Sequence, residues 1–213
     1  MGQSFDEQYK NFWDSRYSSE EYVYGKQPNE FFKEQLLKLT PGSILMPADG
    51  EARNGVFAAE QGWKVISMDL SIEAKGKALQ LAKERQVVLD YIVGDLEHLD
   101  FEKASFDAIG LIFAHFPADK KSALHKKLTT YLKPGGTVIF EAYSKGHLKQ
   151  IDKNPQVGGP RDIDMLFSKE EISADFEGYE VLMLEEMDVW QNEGIRHVGE
   201  GTVIRFIGRK PAK

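Results

Sequence analysis

The stretch LMPADGEARNG, residues 45–55, joins a short apolar run ending at Met46 to a segment with helical character. A glycine turn between a strand and a helix is typical of folds that hold a nucleotide, because backbone N–H groups there can approach a ligand closely. This turn has Gly50 alone, flanked by Ala48 and Ala52, where such turns usually carry two or three glycines. The stretch is therefore either an ordinary strand-to-helix connection or a variant of a cofactor-binding turn.

Strands and helices alternate on both sides of this turn. Predicted strands cover residues 43–46, 64–70, 87–95, 106–114 and 136–143, and predicted helices cover residues 52–61, 72–86 and 119–131. Such alternation indicates parallel βαβ units. The strands are nearly continuous apolar runs, as is typical of strands covered on both faces. We expect five parallel strands with helices on both faces of the sheet.

The C-terminal part breaks the alternation, because residues 179–190 and 201–211 both read as strands with no helix between them. Strands joined by a connection too short for a crossover helix pair antiparallel. The first 32 residues are rich in aromatic side chains and are predicted to form a helical cap. The expected fold is an α/β, Rossmann-like sheet of seven strands, with five parallel strands and a C-terminal antiparallel hairpin.

Composition limits the classes of function. The chain has 213 residues, no cysteine and a formal net charge of −7. The absence of cysteine excludes disulfides, thiolate metal sites and cysteine nucleophiles. The negative charge disfavours nucleic acid as a partner, and no apolar run approaches the length of a membrane span. No secretory signal is visible, so we expect a cytoplasmic protein with a small-molecule substrate, either monomeric or homodimeric.

Three polar features stand at the carboxyl ends of successive predicted strands: the Gly50 turn, Asp69 and Asp95. Open α/β sheets bind ligands beyond these ends. An acid about 20 residues after the turn can accept hydrogen bonds from two ribose hydroxyls, which suits Asp69. Asp95 can accept from an exocyclic amine, while Leu70 and Leu96 can enclose an adenine. The alternative for Asp69 is a helix cap, because a helix is predicted shortly after it.

These features together resemble those of class I S-adenosylmethionine-dependent methyltransferases. Within that superfamily the chain is most similar to the small-molecule group that contains the tellurite-resistance and thiopurine methyltransferases. The segments that carry the resemblance are FWDSRY (12–17), YVYGKQPNEFF (22–32), SILMPADGEARNGVFAAEQGWKVISMDLS (43–71), YIVGDLEHLDF (91–101), FDAIGLIFAHF (106–116) and LKPGGTVIFEAY (132–143). The resemblance implies a single domain, divided into a cap (1–40), a cofactor-binding core (41–143) and a substrate-side segment with the hairpin (144–213).

The resemblance implies S-adenosylmethionine as the cofactor. The turn of that superfamily reads acid-x-Gly-x-Gly-x-Gly, and its four positions are Met46, Ala48, Gly50 and Ala52 here. Alanine costs about 1–2 kcal/mol where the backbone needs positive φ, which concerns Ala48. At Ala52 the expected role of a glycine is close packing. Met46 removes a carboxylate that helps to hold the amino group of the cofactor. Asp49, three positions on, could supply a substitute charge, but we interpret it as an exposed loop acid. We interpret the loop as a variant that still binds.

Further site residues follow from position and resemblance. His115, after the fourth strand, is the predicted catalytic contact or base, with a packing histidine as the alternative. Arg16 could pair with the cofactor carboxylate, and Phe113 joins the predicted cofactor set. The predicted substrate side comprises Tyr17, Tyr24, Arg161, Glu193 and His197. Glu193 and His197 lack a third ligand nearby, so no metal is expected.

The resulting hypothesis is methyl transfer from S-adenosylmethionine to a small-molecule acceptor, with a thiol, selenium or tellurium species as candidates. The alternative is a non-catalytic protein of the same fold that binds an adenosyl ligand or a protein partner. A nicotinamide oxidoreductase is disfavoured, because the ADGEA turn (48–52) does not match GxGxxG and the sheet ends in a hairpin.

Overall fold

The computed structural model describes residues 5–212, so the first four residues of the predicted cap and the last residue lie outside it. Its strands are β1 (Ser43–Pro47), β2 (Lys64–Asp69), β3 (Asp90–Val93), β4 (Phe106–Ile112), β5 (Leu132–Tyr143), β6 (Glu180–Glu193) and β7 (His197–Arg209). They form one seven-stranded sheet in the order β3-β2-β1-β4-β5-β7-β6. Strands β1 to β5 pair in parallel, whereas β7 runs antiparallel to both β5 and β6. The predicted Rossmann-like sheet with a C-terminal hairpin is confirmed.

The three predicted helices follow β1, β2 and β4, and further helices lie at the N-terminal side and between β5 and β6. The helices are α1 (Phe5–Tyr17), α2 (Glu30–Leu36), α3 (Arg53–Glu60), α4 (Ile72–Glu84), α5 (Lys121–Tyr131), α6 (Leu148–Lys153) and α7 (Lys169–Asp175). Helix α4 begins after Ser71, whose hydroxyl accepts a hydrogen bond from the Ala74 N–H. Ser168 caps α7 in the same way. These side chains satisfy N–H groups that the first helical turn leaves without a partner.

Successive residues of each central strand face opposite sides of the sheet and so enter two separate cores. In β1, Ile44 and Met46 pack with the core under α2, α3 and α4. Leu45, between them, packs with the core under α5 and α7. Burial of apolar side chains on both faces stabilises the sheet and holds the carboxyl ends of its strands in register.

Several predicted boundaries were wrong. The third strand begins at Asp90 rather than at residue 87, because Val88 is 88% exposed and lies in the connection from α4. The hairpin strands are longer than expected, and only residues 194–196 join them. The predicted cap extends to residue 40, but α2 covers the sheet, with Phe32 fully buried. Helix α1, by contrast, lies at the carboxyl end of the sheet, where its residues line a cavity.

Within residues 5–212, no helix combines the length and the apolar character that crossing a membrane requires.

Candidate functional site

A cavity of about 470 Å³ opens at the carboxyl ends of the parallel strands. Its lining comes from α1 and the connection after it, from the loops after β1, β2, β3 and β4, and from the starts of α3 and α5. The end of β5, the segment 159–165 and the start of β7 complete it. We call this cavity the cleft. Its position is the one at which open α/β sheets bind ligands.

The loop after β1 has an unusual backbone. Ala48, Gly50 and Ala52 have φ values of 52°, 54° and 57°, so every second residue is left-handed. Non-glycine residues rarely adopt this conformation, and it costs each alanine about 1 kcal/mol or more. The backbone shape that glycine favours is thus retained by alanines. At Ala52 only close packing was expected to favour glycine, but its positive φ favours glycine as well.

Asp69, at the end of β2, is buried at the floor of the cleft and holds this loop. One carboxylate oxygen accepts from the Gly50 N–H at 3.0 Å, and the other accepts from the Ser71 N–H at 3.0 Å. Burial raises its pKa to about 6, although these backbone hydrogen bonds act in the opposite direction. Each oxygen has a second lone pair, so Asp69 can hold the loop and still accept from a ligand hydroxyl. The helix cap is Ser71, not Asp69.

Asp49 was wrongly expected to be an exposed loop acid. Its side chain turns inward, where one oxygen accepts from the Ser67 hydroxyl at 2.7 Å and from the Gly55 N–H at 3.1 Å. The other oxygen is buried without a hydrogen-bond partner among the described residues. Burial raises the pKa of Asp49 to about 7. Gly55 makes this possible, because a Cβ there would lie 2.5 Å from the carboxylate.

Gly50 itself is covered by the cap. A Cβ on Gly50 would lie 2.5 Å from the Tyr17 hydroxyl, and Tyr17 in turn stacks on Trp13 with ring centroids 5.6 Å apart. Ala48 lines the cleft, whereas Gly50 lies beneath Tyr17. Because the Gly50 N–H donates to Asp69, its role is to shape the loop rather than to contact a ligand.

The loop after β3 forms the opposite wall of the cofactor side. Leu70, Asp95 and Leu96 all line the cleft. One oxygen of Asp95 accepts from the Glu97 N–H at 2.9 Å. Asp95, Glu97 and His98 place ligand atoms within 4.8 Å of one another, but two of the three are exposed, and exposed acidic groups are common without a metal. The arrangement suits an adenine ring with an amine directed at Asp95.

His115 lies in the cleft, but both its ring nitrogens are engaged. Nδ1 donates to the Met165 carbonyl at 3.1 Å, and Nε2 accepts from the Tyr143 N–H at 3.3 Å. Burial lowers its pKa to about 3. These contacts describe a fixed, neutral ring and argue against its use as a general base. The catalytic role of His115 stays a prediction, and the geometry favours the packing alternative.

Glu193 and His197 form a buried pair across the hairpin turn. His197 Nδ1 lies 3.0 Å from a Glu193 oxygen, and Arg53 Nη2 lies 2.7 Å from the same oxygen. Burial alone would raise the pKa of Glu193, but the Arg53 charge and the His197 contact lower it to about 2. His197 lines the cleft, whereas Glu193 lies behind it. Glu193 was predicted to bind substrate, but this geometry makes it a support for His197.

Aromatic rings surround His197. Its ring centroid lies 4.5 Å from that of Tyr24, 4.6 Å from that of Phe113 and 5.5 Å from that of Tyr143. Phe113 has a φ of 52°, a strained conformation that aims its ring between His197 and Tyr143. Phe113 thus lies with the predicted substrate residues rather than with the cofactor set. Tyr143 was missed, although it ends β5 and the position of a strand end could have indicated it.

The two predicted arginines differ in burial. Arg16 lines the cleft and stacks over Phe12, with its guanidinium carbon 4.7 Å from the ring centroid. Arg161 also lines the cleft, but its side chain is 65% exposed, and its Nη1 lies 3.7 Å from Oδ1 of Asp152. Arg53 was missed, although as the first residue of α3 it directly follows the loop. Both arginines therefore reach the cleft, and the pairing of Arg16 with a cofactor carboxylate stays a prediction.

The residues present fit S-adenosylmethionine. Asp69 and Asp95 supply carboxylate oxygens for hydroxyl and amine donors, and Leu70 and Leu96 supply apolar surface in the same cleft. Arg16 supplies a cation for a carboxylate. Asp49 also lines the cleft, and one of its carboxylate oxygens is occupied by the Ser67 hydroxyl and the Gly55 N–H.

Comparison with known proteins supports this assignment. Residues 44–136 match the family model described as a methyltransferase domain. A malonyl-[acyl-carrier protein] O-methyltransferase from Erwinia pyrifoliae is 34% identical over 116 residues, which cover 52% of this chain and 42% of that protein. A demethylmenaquinone methyltransferase from Renibacterium salmoninarum is 28% identical over 105 residues, which cover 49% and 43%. The chain thus spans less than half the length of these curated relatives.

Solved structures show the same fold. One described as "Conversion of a Disulfide Bond into a Thioacetal Group during Echinomycin Biosynthesis" superposes with a TM-score of 0.76 at 18% identity, covering 99% of this chain and 94% of that one. TehB from Haemophilus influenzae gives a TM-score of 0.69 at 12% identity, covering 94% and 66%. Together with the domain match, these findings support the class I S-adenosylmethionine-dependent methyltransferase superfamily, with S-adenosylmethionine as its cofactor. They do not distinguish the tellurite-resistance and thiopurine group.

Proposed function

We propose that this protein is a methyltransferase that transfers the methyl group of S-adenosylmethionine to a small-molecule acceptor bound in the cleft. The observation that carries the proposal is the loop after β1, whose left-handed residues are held by Asp69 at the cleft floor. The match of residues 44–136 to a methyltransferase domain supports the same activity.

The cofactor supplies an activated methyl group, so the protein need not supply a nucleophile. Asp69 and Asp95 accept hydrogen bonds from the nucleoside, and Arg16 pairs with the carboxylate. Tyr17 and Trp13, stacked on each other beside the loop, exclude water from the bound ligand. Methyl transfer benefits mainly from alignment and exclusion of water, and an enclosed aromatic cleft provides both.

The acceptor is a small molecule with apolar or aromatic character, because Phe113, Phe116 and Tyr143 line the cleft. A thiol fits this surface as well as a phenol or an acid does. Small selenium or tellurium species would leave much of it unfilled, so the resemblance to the tellurite-resistance group stays a prediction. The relatives are named for malonyl-[acyl-carrier protein] and demethylmenaquinone, and acceptors of both kinds belong in the first substrate panel.

Calorimetric titration with S-adenosylmethionine and S-adenosylhomocysteine tests the proposal. The wild-type protein should bind both, and Asp69→Asn should weaken binding by about 1.5–3 kcal/mol, because a hydrogen bond to a charged group contributes about that much. Asp90→Asn is the matched control, since Asp90 is exposed at the start of β3, whereas Asp69 lies at the carboxyl end of β2. Asp69 also holds two backbone N–H groups, so a lower melting temperature is expected for Asp69→Asn.

Three outcomes would contradict parts of this proposal. Failure of the wild-type protein to bind either ligand would favour the non-catalytic alternative. Binding of NADH in their place would favour an oxidoreductase. Equal affinity of the wild-type and Asp69→Asn proteins would remove Asp69 from the cofactor site.

A further inference from the structure

We propose that His197, held by Glu193, accepts the proton of the methyl acceptor, and that the site therefore takes acceptors with an acidic O–H or S–H group. This inference rests on the proposed methyl transfer and deepens it by naming the substrate class.

The first observation is that the contacts of His197 fix its tautomer. Nδ1 lies 3.0 Å from the Glu193 carboxylate, so this nitrogen carries the hydrogen. Glu193 is itself fixed by Arg53 at 2.7 Å and by the side-chain amide of Asn29 at 3.2 Å. The hydrogen on Nδ1 leaves Nε2 with a lone pair. A carboxylate on the far side of the ring orients the imidazole and stabilises it once it is protonated.

The second observation is that Nε2 is open to the cleft. No hydrogen bond to Nε2 is present among residues 5–212. Nor is Nε2 one of the buried unpaired atoms of those residues, which are the Asp49 Oδ1, the His125 Nε2 and the Tyr179 hydroxyl. Because the His197 ring lines the cleft, the accessible part of the side chain faces the place of the acceptor.

The third observation is that the other histidines do not offer the same group. Both nitrogens of His115 are engaged, as described above. His147 is engaged in the same way, with the Gly158 carbonyl at 3.0 Å and the Thr202 N–H at 3.2 Å. His125 is fully buried, and His98 is exposed outside the cleft. Of the five histidines in the sequence, His197 alone combines a position in the cleft with an accessible lone pair.

The proton balance of the step is simple. The acceptor O–H or S–H bond breaks, its proton goes to Nε2 of His197, and its electron pair stays on the oxygen or sulfur. That electron pair forms the new bond to the methyl carbon. The proton leaves His197 to solvent after the product departs. Glu193 offsets the positive charge on the ring throughout, and it needs no proton of its own.

The surroundings set the pH range of this step. The charged and titratable groups that face the His197 ring are Glu193, Arg53, Arg16, Tyr24 and Tyr143, with His115 and His147 farther away. Burial lowers the pKa of His197, although Glu193 acts against this. The ring is therefore neutral and able to accept a proton at pH 7. This capacity is lost as the pH falls through its pKa.

A binding experiment without the cofactor tests the inference. The probes are 4-nitrophenol and 4-nitrothiophenol, whose anions have distinct visible absorbance. Bound to the wild-type protein, each probe should ionise at a lower pH than it does free in solution. His197→Gln should abolish this shift, and His197→Asn is the second variant should the first fold poorly. His98→Gln is the control and should retain the shift, because His98 is exposed outside the cleft.

Turnover provides the second readout. His197→Gln should slow methylation of a phenol or thiol by about 10²–10⁴-fold, the usual loss for a general base, and Glu193→Gln should slow it less. An unchanged probe shift in His197→Gln, or no shift in the wild-type protein, would overturn the inference. Calorimetry with S-adenosylmethionine separates this failure from that of the proposed function, because cofactor binding is measured independently.

Discussion

The cofactor side and the acceptor side of the cleft are built in different ways. On the cofactor side, the conformation of the loop after β1 is set by its own backbone. Its residues 48, 50 and 52 have positive φ, and Asp69 accepts hydrogen bonds from the N–H groups of Gly50 and Ser71. On the acceptor side, side chains from distant segments meet, as when Asn29, Arg53 and His197 converge on Glu193. The cofactor side thus depends on contacts close in sequence, and the acceptor side depends on contacts between distant segments.

This difference has a physical consequence. The hydrogen bond from Gly50 to Asp69 closes 19 residues of chain, whereas those from Arg53 and Asn29 to Glu193 close 140 and 164 residues, so their loop-closure cost is higher. We expect the cofactor side to tolerate single substitutions, with effects confined to the loop. Substitutions on the acceptor side should disturb several elements together.

Gly194→Ala should have the largest effect on stability. Gly194 has a φ of 60°, and a Cβ there would lie 2.3 Å from the Val23 carbonyl oxygen and 2.5 Å from the Gly25 nitrogen. Both contacts are with backbone atoms, so the turn must separate from residues 23–25. We expect a loss of about 2–4 kcal/mol in the free energy of unfolding, measured in urea. Gly178→Ala is the control: its φ is also positive, at 83°, but a Cβ there meets nothing within 4 Å. Equal losses in the two variants would show that the packing of the hairpin turn against residues 23–25 does not contribute to stability.

Asp49→Asn should change the pH dependence of stability on the cofactor side. The folded protein raises the pKa of Asp49 from 3.8 to about 7, chiefly through burial. Between these pH values the folded state holds a proton that the unfolded state has lost, so the contribution of Asp49 to stability falls as the pH rises. The melting temperature of the wild type relative to Asp49→Asn should therefore fall by about 5–10 °C from pH 5 to pH 8.

The comparison of the two proteins removes the effects of the other shifted groups. Asp69 acts in the same direction as Asp49, whereas His115 and His147 lose their contribution as the pH falls below 6.5. A constant difference in melting temperature across this range would mean that the Asp49 carboxylate is not enclosed by the loop.

Ala48→Gly should have the smallest effect. The φ of 52° at Ala48 favours glycine, but glycine also gives the unfolded chain more freedom, and the two effects oppose each other. We expect a gain of about 0.5–1 kcal/mol or less, measured by thermal unfolding. A loss above 1 kcal/mol would show that the Ala48 methyl group packs against something that the loop needs.

Replacing Met46 with the acid that the superfamily has at this position should destabilise the protein. Met46 is buried in the core, and a Cβ on Gly110 would lie 2.6 Å from its sulfur. A carboxylate there would be buried without a partner, which costs several kcal/mol. The two differences from the superfamily turn therefore have different causes. Met46 is part of the hydrophobic core, whereas Ala48 adopts a strained, positive φ.

The sequence indicated that Asp69 and the Gly50 turn lie near each other, because both stand at carboxyl ends of parallel strands, and the hydrogen bond between them agrees with this. It could not predict the direction of the Asp49 side chain, because that depends on the space beside Gly55. On the acceptor side it indicated His115 and His197 from their surroundings in the chain. It could not rank them, because the ranking depends on the Tyr143 N–H and on Glu193, which only the folded chain brings to the rings.

The stacking of Trp13 on Tyr17 also gives the protein an internal optical reporter. The chain has three tryptophans. Trp63 is buried in the core, and Trp190 is 78% exposed on the edge strand. Only Trp13 lines the cleft. Iodide in solution should quench the emission of Trp190 and spare that of Trp63, so a change in the remaining fluorescence would follow the occupancy of the cleft in real time without a label.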